Sequence, residues 1–247
     1  MKYRNIYINA FADKLHYMFD NIFSLNYNFI YNILRKSSMI IKDLFQNNGF
    51  NNITAYSGKD IDDELINRCL KLDGVFYDDQ FLWKDFNIAD TIKQYSQMCF
   101  ILVNDEKNTI VGYSYWFPIK SEILNQYIKE KKILLNIEPQ FCTGYNVPNI
   151  NLHCAGEAFV PGYDLLNLHK VLEDLFQYHI LCLAQKGTKV STLSVDSVCA
   201  YDEQYLVKRS GLKYCEEKND CKFFYDKYDP RLIFSESIYC QELLKYY

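Results

Sequence analysis

The order of elements between Ile150 and Leu212 constrains this chain more than any other feature. A strand-like run from Ile150 to Val160 ends at Pro161-Gly162-Tyr163 and feeds an amphipathic helix from Asp164 to Lys186. A second strand comes next, Val190 to Val195, and a short helix from Glu203 to Ser210 closes on Lys208-Arg209-Ser210-Gly211-Leu212. Strand, long helix and strand make a βαβ-like unit, whose natural home is an α/β sheet covered by the helix.

Nine glycines and five prolines punctuate the chain sparsely, so the few that occur are expected to mark boundaries. Residues 1 to 48 read as helix: Leu15, Met18, Phe19, Ile22 and Phe23, then Ile30, Ile33 and Leu34, then Ile40, Ile41, Leu44 and Phe45 recur at three- and four-residue spacing. Asn48-Gly49 ends that region. Ile53 to Ser57 reads as a short strand, and Asp60 is placed to cap a helix running through Leu65, Ile66, Cys69 and Leu70 to Leu72. Gly74 to Gln80 reads as a linker and Asp90 to Met98 as further helix. The polar turn Asn104 to Asn108 then joins Phe100-Ile101-Leu102-Val103 to Thr109 through Phe117, a hairpin rich in β-branched and aromatic residues, with Pro118 expected to stop the second strand.

Composition closes off other classes. With 247 residues, 49% hydrophobic and 17% aromatic, the chain can bury its own core. A net charge of -4, from 27 basic and 31 acidic residues, offers no footprint for nucleic acid or anionic lipid. Nine cysteines without a CxxC pair read as reduced, small hydrophobes of a cytoplasmic protein. The N-terminus lacks a signal-peptide pattern, and no stretch approaches the roughly 18 apolar residues that span a bilayer, so no membrane is expected.

The hairpin with Ile110-Val111-Gly112-Tyr113, the helical segment Ser121 to Ile137 and the strand, long helix, strand and short helix after it resemble, in order and spacing, the GNAT N-acetyltransferases. The resemblance covers about residues 53 to 226. It implies an α/β (α+β) fold: a GNAT-like mixed, mostly antiparallel sheet flanked by helices. The domains expected are an N-terminal helical extension over 1–50, a GNAT-like acyltransferase domain over 51–230 and a C-terminal tail over 231–247.

The same resemblance implies acetyl-CoA as acyl donor and an amine as acceptor, either a small molecule or a lysine side chain. In that family the fourth and fifth strands splay, freeing backbone groups for the pantetheine arm, while the next helix turns its N–H groups to the pyrophosphate. Phe159 and Val160 would then meet the pantetheine, and Pro161, Gly162, Tyr163, Leu165 and Leu166 would form the phosphate turn. This turn departs from the family pattern, Arg or Gln followed by x-x-Gly-x-Gly or Ala. It offers Gly162 alone, and Asp164 stands where an anion would sit. Asp164 reads first as the cap of the long helix, a contribution of about 1 kcal/mol.

Acyl transfer to an amine needs a base for the amine proton and an acid for the leaving thiolate. Glu157 stands where family members often hold the base, and also reads as a solvated or paired carboxylate on an exposed strand face. The family's acid, a Tyr four residues before the glycine, corresponds to Val207 here, leaving Tyr201 and Tyr205 as substitutes among 22 tyrosines. His153 and Cys154 are strand neighbours that point to opposite faces, so they are no nucleophile pair. His169 and His179 are ten residues apart on one helix, a rotation of roughly 280° at the ideal pitch, and no metal is expected. Phosphate-loop, hydrolase-elbow and dinucleotide-binding motifs are missing from the sequence. The leading expectation is an N-acetyltransferase, and the alternative is a catalytically degenerate GNAT-fold binding module.

Overall fold

A computed structural model describes residues 41–76, 88–130, 137–197, 207, 210–218 and 221–247. The chain divides into two compact units, Met1–Asp43 and Leu44–Tyr247. Of the first, residues 41–43 are described, and they are helical; the other helical positions expected there lie outside the described residues.

In the second unit the β-branched and aromatic runs form one seven-stranded sheet in the order β1-β2-β3-β4-β5-β7-β6. The strands are β1 (Ile53–Ser57), β2 (Cys99–Asn104), β3 (Thr109–Ile119), β4 (Asn149–Phe159), β5 (Lys189–Ser197), β6 (Tyr214–Lys218) and β7 (Cys221–Lys227). Every junction is antiparallel except β4 with β5. That parallel pair is bridged by a long helix, as a parallel connection requires. The mixed, mostly antiparallel sheet expected from the sequence is the one found. All six residues of β2 are buried, because helices cover both faces at the sheet centre and alternation gives way to a continuous apolar run.

One face carries α1 (Asp63–Phe76), α2 (Ile88–Tyr95) and α3 (Ser121–Glu130), whose Ile66, Cys69, Ile92 and Leu124 join Tyr113, Tyr115 and Phe117 of β3 in one apolar cluster. The other face is covered by α4 (Leu165–Gln185), with Phe176 against Trp116 and His179 against Phe100. Residues 231–247 belong to the same compact unit. Phe234 packs on Phe176 and Trp116, Gln177 donates to the Ile233 carbonyl, and the short α5 (Cys240–Leu243) buries Cys240 and Leu243.

Three local expectations are corrected. The α1 cap is Asp62, whose Oδ1 accepts from the Leu65 N–H at 2.8 Å; Asp60 belongs to a preceding 3₁₀ turn, and α1 runs on through Gly74 to Phe76. Pro118 does not stop β3, which continues to Ile119. The last β2 partner of β3 is Tyr115, so at Pro118 the strand has lost its neighbour on that side. The Pro118 carbonyl accepts from Thr143 N there at 2.7 Å, pointing away from β4. Its absent N–H therefore removes no rung of the β3–β4 ladder, the edge position that proline tolerates.

Gly112, paired with Phe159, makes room for an aromatic ring at the β3–β4 junction. A Cβ at Gly112 would lie 2.3 Å from Phe159 Cδ1 and 2.7 Å from the Ala158 carbonyl. The space goes to the Phe159 ring, whose centroid lies 4.5 Å from that of His169. Gly112→Ala should therefore overpack the junction and lower stability by about 1–3 kcal/mol, read as a lower urea midpoint.

Candidate functional site

β4 and β5 run together only as far as the pair Cys154 and Val195; among the described residues no register pair joins them beyond that point. At the same place β4 carries a bulge. Trp116 pairs with Cys154 and Tyr115 with Gly156, leaving Ala155 as an extra residue. Burial changes there as well. Ala155 and Gly156 are half-exposed in a strand otherwise buried from Ile150 to Phe159, and Asp196 is half-exposed just after Val195.

The parting ends at the turn before α4. Val160 N–H is bound to the Val111 carbonyl of β3 at 2.8 Å, so its donor serves the sheet. Pro161 and Gly162 are exposed, and Gly162 takes φ +103°, a conformation open to glycine. Tyr163 Oη accepts from Asn104 Nδ2 at 3.3 Å. Asp164 caps α4, its Oδ1 accepting from the Asn167 N–H at 3.2 Å. Leu165 is half-buried, whereas Leu166 is 57% exposed. Phe159 is buried on the α4 side against His169. The turn thus forms a helix N-terminus already holding a carboxylate, the group that the macrodipole favours there.

Glu157 faces α4. It pairs with Ser114, its side chain is 5% exposed, and its Oε1 lies 3.2 Å from His169 Nδ1. Around them lies a cavity of about 20 Å³ lined by Ser114, Trp116, Glu157, His169 and Glu173 among others. That is room for one water molecule among polar groups. Tyr201 and Tyr205 lie outside the described residues. Val207, at the position of the family's tyrosine, is buried, and its carbonyl accepts from Ser210 Oγ at 2.9 Å.

A second polar group sits on the opposite face, and sequence reasoning did not find it. His153 pairs with Phe117 and Cys154 with Trp116, so the two adjacent side chains point apart as strand alternation requires. On the α1 face, His153 Nδ1 and Ser194 Oγ share a hydrogen bond of 3.0 Å across the β4–β5 junction. His153 Nε2 lies 3.5 Å from Asp196 Oδ2. Ser194 and Asp196 alternate onto one face of β5, but nothing in their own segment says that His153 is their neighbour. Among the described residues no three His, Cys, Asp or Glu side chains converge as metal ligands, and no helix is long and apolar enough to cross a membrane.

No family model and no curated protein matches the chain. Among solved structures it is similar to an agmatine N-acetyltransferase in its apo form, with a TM-score of 0.43, 13% identity and coverage of 71% of this chain and 100% of that one. It is also similar to Naa50 of Arabidopsis thaliana in complex with a bisubstrate analogue, with a TM-score of 0.41, 12% identity and coverage of 72% and 99%. A third is a GNAT-family acetyltransferase from Listeria monocytogenes, with a TM-score of 0.41, 11% identity and coverage of 71% and 94%. Likenesses this distant concern the fold alone.

Proposed function

We propose that this protein is an acyl-CoA-dependent N-acyltransferase that moves an acetyl group from acetyl-CoA to an amine. The observation that carries the reading is the parting of β4 from β5 at Cys154 and Val195, with a bulge and half-exposed backbone at the point of separation. Backbone beyond such a parting suits an extended amide-containing chain, which the pantetheine arm is. Ala155 to Val160 would line that arm.

The phosphate end fits less well. Asp164 holds a negative charge at the α4 N-terminus, where a pyrophosphate would otherwise find free N–H groups. A second reading, a binding module that has lost transfer, draws on this cap and on Glu157 lying buried against His169. Asp164→Asn separates cap from charge, because asparagine caps as well as aspartate. Acetyl-CoA should raise the melting temperature of the wild-type chain, with at least ten-fold tighter apparent binding in Asp164→Asn. No shift in either protein at millimolar acetyl-CoA would sink the acyl-CoA reading. Binding without release of the CoA thiol, over a panel of primary amines, would favour the module.

A further inference from the structure

We infer that Asp196, backed by His153, takes the ammonium group of a cationic acceptor at the β4–β5 parting. This rests on the acyl-transfer reading for its context and goes beyond it by fixing the acceptor's charge and the residues that meet it. The Asp196 side chain is 6% exposed, yet neither carboxylate oxygen has a hydrogen-bond partner. His153 Nε2 is equally buried and unbonded. Buried polar groups are normally satisfied, and an unmet carboxylate is among the costliest to hide from water.

The geometry says what is missing. Nε2 and Oδ2 lie 3.5 Å apart without forming a hydrogen bond. In the tautomer whose Nδ1–H donates to Ser194 Oγ across 3.0 Å, Nε2 is a lone-pair acceptor facing a carboxylate. Two carboxylate oxygens and one imidazole nitrogen then face one another without a donor. A primary ammonium supplies three N–H donors and one positive charge, the complement of that set.

The surroundings agree. Asp196 turns its side chain inward while its residue as a whole is half-exposed, next to the half-exposed Ala155 and Gly156. The same face buries further polar groups without a hydrogen-bond partner, among them Asp73 and the Tyr113 hydroxyl. Glu157, expected as base, points to the other face and already lies 3.2 Å from His169.

The test uses the full chain with histidines labelled for NMR. The His153 imidazole signal, assigned by its loss in His153→Gln, is monitored while n-butylamine is added, with n-butanol as the uncharged match. The amine should move the His153 signal saturably and the alcohol should not. In Asp196→Asn, which keeps shape and removes charge, the apparent affinity should fall at least ten-fold. An unmoved His153 signal, equal responses to amine and alcohol, or undiminished affinity in Asp196→Asn would each overturn the assignment. Acetyl-CoA melting shifts run in parallel keep the two readings apart. Amine uptake without an acetyl-CoA shift would count against acyl transfer and leave the ammonium site standing. An acetyl-CoA shift with no response at His153 would do the reverse.

Discussion

Asp73→Asn should stabilise the folded protein at pH 8 by several kcal/mol and leave it nearly unchanged at pH 4. Asp73 is buried on α1 with no hydrogen bond to either oxygen, and burial pushes its carboxyl from the ordinary 3.8 up to about 8. Desolvation is the cause, and among the described residues nothing offsets the charge. Between about pH 4 and 8 the folded state keeps a proton that the unfolded chain releases. The slope of unfolding free energy with pH is therefore negative over that window, and the stability this group carries falls as pH rises through it. The full difference is on the order of 5 kcal/mol above pH 8, a large fraction of a typical domain's stability. Asparagine imitates the neutral acid and removes the dependence. The check is urea unfolding of both proteins at pH 4, 6 and 8. His179, pushed down to about 4 by burial, costs stability as pH falls below its ordinary 6.5, but does so equally in both proteins and cancels in the difference. A difference between variant and wild type that stays flat with pH would contradict the account.

Legibility in the sequence depended on the range of the interaction. The β2–β3 hairpin, β4, α4 and β5 are readable because turn chemistry and apolar period are local signals. The cap at Asp164 is readable for the same reason, and is found. The α1 cap is not, because several acidic residues cluster before the apolar run and only hydrogen bonding selects Asp62 over Asp60.

The orientation of Glu157 was beyond sequence reasoning for a definite cause. Strict alternation from His153 would place Glu157, four residues on, on the same face. The bulge at Ala155 inserts one residue and reverses the parity, so that Glu157 turns to α4 and His169 while His153 stays on the α1 side. The juxtaposition of His153 with Ser194 and Asp196 depends on the parallel register of two strands separated by the whole of α4, which no local pattern encodes. The polar chemistry of this sheet is thus divided between its faces by one extra residue.

Trp116→Ala should be the most damaging core truncation among those the structure suggests, costing about 3–5 kcal/mol. Trp116 is buried on β3, and its ring meets Phe176 of α4 at 4.5 Å and Phe234 at 6.5 Å, so one side chain ties the sheet, the covering helix and the C-terminal residues together. Its Nε1 donates to Ser114 Oγ at 2.9 Å, and truncation would remove that partner from a fully buried hydroxyl as well as open a cavity. Trp116→Phe separates the two costs: it keeps most of the ring contact and loses the hydrogen bond, for an expected loss of about 1–3 kcal/mol. Far-ultraviolet circular dichroism in urea is the suitable readout, because the chain has two tryptophans and the substitution removes one fluorophore. The midpoint should fall with the slope unchanged, as a change in stability alone requires. A loss below about 1 kcal/mol for Trp116→Ala would mean that α4 and residues 231–247 are held by other contacts. Because Trp116 also lines the cavity beside Glu157 and His169, the truncation should enlarge a space that now has room for one water, and the polar pair should become accessible to solvent as stability is lost.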